Sequence, residues 1–138
     1  MVARRLCAIA RGTRLAISHL FFEILLSVGL GDTAVWLVRR QISKYPSKEA
    51  DNLSYLGYLE ARRGNFDNAI EHLNAAIERA PNDAFVLVEL GVAYEEKGRP
   101  DLALPNFERA LSIGSDFGHD FRSSLEMKIR QIKHSLQK

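Results

Sequence analysis

The sequence holds one cysteine, one tryptophan and four prolines in 138 residues. Cys7 alone can close no intramolecular disulfide and build no thiolate metal cluster, which suits a reducing compartment. His19, His72, His119 and His134 are scattered, with no pair at metal-ligand spacing, so they read as surface or packing residues. No metal and no cofactor is expected. A long apolar run is also missing: Leu15–Leu30 is 16 residues, interrupted by His19 and Glu23, short of the roughly 20 that a bilayer span needs. No small-x-small cleavage site follows that run, which argues against a secretory signal. The expected compartment is cytoplasmic, with membrane-associated or mitochondrial placement as the alternative.

Net charge is only +2, so no global field points to nucleic acid, and none is expected as a partner. Apolar content of 46% and charged content of 26% describe an ordinary folded chain of one domain. The distribution of charge says more than its sum. Residues 1–49 carry 8 Lys/Arg against 3 Asp/Glu, residues 50–117 carry 6 against 12, and residues 118–138 carry 5 against 2. An acidic middle lies between two basic ends. A basic end of this kind favours contact with something anionic, whether membrane, partner or the chain's own acidic face.

Residues 1–28 contain Arg4, Arg5, Arg11 and Arg14 and no acid before Glu23. At 100° per residue Val2, Leu6, Ile9, Ile17, Leu20 and Ile24 form one stripe with Arg4, Arg11 and Arg14 mostly opposite, and Gly12 breaks or bends the helix. Three readings follow. The helix packs its stripe on what comes next, lies on an anionic membrane surface, or is a targeting segment. The basic segment proper is bounded as 1–14.

Gly29-Leu30-Gly31-Asp32-Thr33-Ala34 matches the dinucleotide pattern G-x-G-x-x-A, in which a pyrophosphate would sit on a helix N-terminus. No further strand–helix units follow, so the context fails it. The same segment fits a turn between two helices equally well.

What the chain does have is a repeat. Sliding Ala50–Phe117 by 34 residues superposes Leu53 on Leu87, Leu56 on Leu90, Gly57 on Gly91, Gly64 on Gly98, Asp67 on Asp101, Ala69 on Ala103 and Ala76 on Ala110, with 8 identities in all. That period marks stacked helix pairs. Leu53, Leu56 and Leu59 form the stripe of the first helix, and Gly64-Asn65 ends it. Asp67 is placed to cap a second helix with stripe Ala69, Ile70, Leu73, Ala76 and Ile77, and Pro81-Asn82 breaks the chain. Gly57 with Ala69, and Gly91 with Ala103, mark close helix approach. At an offset of 35, Ala34, Val38, Ile42 and Pro46 fall on Ala69, Leu73, Ile77 and Pro81, so residues 15–49 read as a degenerate earlier copy with Phe22 in the glycine's place. Residues 118–138 read as a capping helix with stripe Phe121, Leu125, Ile129, Ile132 and Leu136.

These residues resemble the tetratricopeptide repeat family. Residues 50–83 supply Leu53, Leu56-Gly57, Ala69, Leu73, Ala76 and Pro81; residues 84–117 supply Leu87, Leu90-Gly91, Tyr94, Ala103, Phe107 and Ala110. Glu60 stands where an aromatic is usual, Ser115 where proline is usual, and Pro105 falls in an opening helical turn. The resemblance implies an all-α, right-handed solenoid and a protein-binding adaptor or scaffold. It also implies a concave groove lined by Asp51, Ser54, Tyr58, Arg62, Phe85, Val88, Val92, Glu95 and Glu96. His19, Glu23, Ser54 or Tyr55, Phe85 and Glu89 occupy the positions of the family's carboxylate clamp and cannot make one. The expected partner is a peptide or helical segment with apolar anchors and basic flanks. A homo-oligomer, in which the basic N-terminus occupies a neighbour's groove, is a further possibility, as is recruitment to an anionic membrane by Arg4, Arg5, Arg11 and Arg14. Glu95-Glu96 sits on an exposed helix end, and no Ser/His/Asp or Cys/His set is apparent, so no enzyme activity is expected.

Overall fold

The computed structural model describes residues 20–21, 23–44, 49–115 and 117–138. Phe22 and the arginines at 4, 5, 11 and 14 lie outside them. Six helices follow one another among the described residues: α1 (Gly31–Lys44), α2 (Glu49–Arg62), α3 (Phe66–Arg79), α4 (Ala84–Glu96), α5 (Pro100–Ile113) and α6 (His119–Leu136). A shorter helical stretch, 23–27, leads into α1. No strand occurs among the described residues. Each helix packs chiefly on its chain neighbours, most extensively α2 on α3 and α4 on α5, which is the contact pattern of a helical solenoid.

The turns explain the helix boundaries. Gly29, Gly64 and Gly98 adopt φ of +81°, +81° and +76°, a left-handed conformation that costs a residue with a side chain roughly 1–2 kcal/mol. Gly29 thus makes the same turn upstream of α1 that Gly64 makes upstream of α3. It follows a helical stretch rather than a strand, so the dinucleotide pattern lacks its structural context. The cap of α3 differs from expectation. Its N-cap is Asn65, with no side-chain cap bond. Asp67 lies in the first turn instead, where its carboxylate faces the positive helix end and pairs with Lys97. Asp83 does cap α4, accepting from the backbone N–H groups of Phe85 at 3.0 Å and Val86 at 3.2 Å. Helix α5 begins at Pro100, a position where proline lacks nothing the helix needs. That start places Pro105 in the second turn, not the opening one, so the helix forgoes the bond to the Asp101 carbonyl.

Burial follows the repeat. Ala34 and Val38 are 0% and 1% exposed, as Ala69 and Leu73 are 0% and 0%. The glycines permit the tightest contacts: Gly57 meets the Ala69 backbone as expected and Leu73 more closely still, while Gly91 meets Phe107 ahead of Ala103. A Cβ at Gly57 would lie 2.6 Å from Leu73 Cγ and 3.1 Å from the Ala69 carbonyl oxygen, and one at Gly91 would lie 2.6 Å from the Phe107 ring. Helix α6 closes the far end by burying Leu125, Ile129 and Ile132, and the Arg122 guanidinium donates to the Gly114 carbonyl at 2.8 Å. Its stripe ends a turn earlier than expected, since Leu136 is 45% exposed. At the other end Leu20 and Ile24 are exposed too, while Leu25 and Leu26 pack towards α2.

Candidate functional site

The first helices of successive pairs are joined by a polar ladder. The Tyr58 hydroxyl donates to the Glu23 carboxylate, which also pairs with Arg62 at 3.4 Å. Ser54 Oγ donates to Glu89 at 3.3 Å, and Lys128 Nζ donates to Glu95 at 2.5 Å. Each rung links positions 33 to 35 residues apart, one repeat, and so ties the stretch 23–27 to α2, α2 to α4, and α4 to α6. The Tyr55 ring stacks on Tyr58 at 5.9 Å. Burial holds the Tyr55 phenol well above its ordinary pKa, with Tyr58, Glu23 and Glu89 adding to the effect, so it stays protonated.

The residues singled out from sequence divide into three groups. Ser54 and Tyr58 are 4% and 8% exposed and serve as rungs, so they set the spacing of the face more than they offer surface. Phe85, Val88 and Val92 are half-buried against the cluster that α5 and α6 build, Phe85 lying 5.1 Å from Phe117 and 6.2 Å from Phe121. Asp51, Arg62 and Glu96 are exposed, and Glu95 is partly exposed on its rung with Lys128. In the sequence, Glu23 stands out as a break in an apolar run and, with Glu89, as unfit for a carboxylate clamp, while Lys128 is not singled out. The available signal was positional: each stands one repeat from a residue that can hydrogen-bond it.

A second ladder runs along the turns. Arg63 pairs with Asp32, and Lys97 pairs with Asp67, joining the end of each first helix to the start of the preceding second helix. Arg63 does more than its counterpart. It also pairs at 3.3 Å with Glu60, which is 2% exposed and accepts from the Asn65 amide at 2.8 Å. A buried carboxylate is tolerated only with such partners, and these two explain how Glu60 replaces the usual aromatic.

Among the described residues no three His, Cys, Asp or Glu side chains converge as a metal site requires, and no helix is long and apolar enough to cross a membrane. In comparison with known proteins, residues 49–116 match the tetratricopeptide repeat family model. No curated protein matches the chain. The matched span runs from α2 through α5 and takes in both Leu-Gly pairs and both buried Ala/Ala rows. Repeats of this kind generally mediate protein–protein interaction and are typically non-enzymatic. Through residues 49–116 the chain belongs to the tetratricopeptide repeat family.

Proposed function

We propose that the protein is a small adaptor holding a segment of another protein on the concave side formed by α2 and α4. The observation that carries this reading is the chemistry of α4, where half-buried Val88 and Val92 lie among Glu89, Glu95 and Glu96. An apolar strip edged with carboxylates suits an amphipathic segment with apolar anchors and Lys/Arg flanks. Asp51 on α2 extends the acidic edge. The charge balance of residues 50–117, 6 basic against 12 acidic, would speed encounter with such a segment and reject acidic ones.

Calorimetric titration with two synthetic amphipathic peptides, one flanked by lysines and one by glutamates, tests the proposal. The basic peptide binds and the acidic one does not. Asp51→Lys combined with Glu96→Lys weakens binding by roughly tenfold or more and leaves the helical signal intact, because both side chains are exposed. Equal affinity for both peptides, or an unaffected double variant, would sink the assignment. Peptide-independent self-association would instead favour a second copy as the occupant.

A further inference from the structure

Among the described residues the two ends of the solenoid are finished differently. Helix α6 covers the last pair, but the first pair and the residues leading into it, 20–21 and 23–44, carry an exposed apolar set. Leu20 is 64% exposed, Ile24 52%, Val28 62%, Leu30 48% and Trp36 55%. The repeat register shows how unusual this is. Ile24 occupies the position of Leu59 and Ala93, which are 0% exposed because each packs on the helix pair before it. Trp36 stands where α3 has Glu71 and α5 has Pro105, both at exposed positions. A large aromatic at a position that faces solvent is the informative departure.

Charge decides what such a surface meets. Residues 1–44 carry seven Lys/Arg and two Asp/Glu. Both acids are engaged by residues of α2 or the turn after it: Glu23 by Tyr58 and Arg62, Asp32 by Arg63. Arg39 and Arg40 are exposed, and the Arg40 guanidinium lies 5.4 Å over the Trp36 ring. A second copy meeting the first unit to unit would set Arg39 and Arg40 against their own counterparts. An anionic lipid surface offers both complements at once, acyl chains for the aliphatics and headgroups for the arginines. Tryptophan suits the boundary between the two, and arginine can extend to headgroups while its stem stays in apolar surroundings.

We propose that the first helix pair docks the protein peripherally on anionic bilayers, with Leu20, Ile24, Val28, Leu30 and Trp36 entering the interface and Arg39 and Arg40 contacting headgroups. The acidic stretch 50–117 would then be held off the surface by like charge, free to engage a partner. This reading is independent of the occupant of α2 and α4.

Trp36 is the only tryptophan, so its emission reports this site alone. Full-length protein is mixed with vesicles of phosphatidylcholine alone or of phosphatidylcholine with phosphatidylserine. With phosphatidylserine present the protein floats with the vesicles, Trp36 emission shifts to the blue, and added salt reverses both. Ile24→Ser with Val28→Ser weakens binding by roughly tenfold or more. Arg39→Gln and Arg40→Gln each weaken it by roughly fivefold. All four positions are exposed, so the variants keep their helical signal. Emission unchanged by anionic vesicles overturns the proposal. So does a concentration-dependent blue shift without lipid, which would make a second copy the occupant, and so does undiminished binding of the Ile24/Val28 variant.

Discussion

In α2 a glycine lies against Leu73; in α4 the glycine 34 residues later lies against Phe107. The two matched repeats keep the same close approach and fill it with different side chains. The next difference is sharper. At the position after the apolar stripe, α2 buries Glu60 beneath Arg63 and Asn65, whereas α4 has Tyr94, half-buried against its neighbours' apolar clusters. One pair is locked by a charge that must be satisfied and the other by aromatic packing. The backbone plan is therefore common property, while the means of holding it is local. What must be preserved is volume at the glycine contact and partners for whatever polar group is buried.

Removing the filler of each contact should produce the largest effects. Phe107→Ala is expected to cost about 3–5 kcal/mol and Leu73→Ala about 2–5 kcal/mol, read as urea midpoints by circular dichroism. A Leu73 loss well above that of Phe107 would show that the α2–α3 pair, not the α4–α5 pair, carries the core. Filling the contact from the other side comes next. Gly57→Ala and Gly91→Ala should each cost about 1–3 kcal/mol through overpacking, against a helix-propensity gain of about 1 kcal/mol. Stabilisation by either substitution would contradict the contact.

Arg63→Ala against Lys97→Ala isolates the buried acid. Both residues pair with an aspartate one helix pair back, but only Arg63 also serves Glu60. Arg63→Ala should cost about 1–3 kcal/mol, the penalty for leaving a buried polar group short of a partner, while Lys97→Ala should fall within about 0.5 kcal/mol. Equal losses would show that Glu60 rests on Asn65 alone.

The smallest effect is a pH dependence confined to the first repeat, since Asn106 stands where His72 does. Burial, then the Arg39 charge, lowers the His72 pKa from its ordinary 6.5. The folded state therefore binds fewer protons than the unfolded chain as pH falls through about 6.5. The His72 contribution is fully present above that pH and is lost as pH falls towards the lowered folded value. His72→Gln should flatten the midpoint-against-pH curve in this window; an identical curve would mean the imidazole is as accessible folded as unfolded.

The register of the repeats was legible because glycine and alanine at fixed spacing leave few alternatives: Gly64 and Gly98 must turn, and Ala69 and Ala103 must bury. Local competition was harder to read. Asp67 looks like a cap, but Lys97, 30 residues away, gives its carboxylate another partner, and Asn65 takes the cap position. Pro105 was misplaced by the helix start at Pro100. At the candidate face, the family resemblance puts Ser54 and Tyr58 on the groove surface, yet cross-repeat partners bury both. Such partners are invisible to a single-helix reading, although the offset of 35 that aligns the degenerate copy also aligns Tyr58 with Glu23.

The assignment of the acidic α2 and α4 face as the partner site is tested most directly by amide chemical-shift mapping during titration with the lysine-flanked peptide. Shifts concentrated on α2 and α4, around Ser54, Tyr58, Val88 and Val92, are the predicted result, with α3 and α5 largely unmoved. Shifts centred on α3 and α5 would contradict the account.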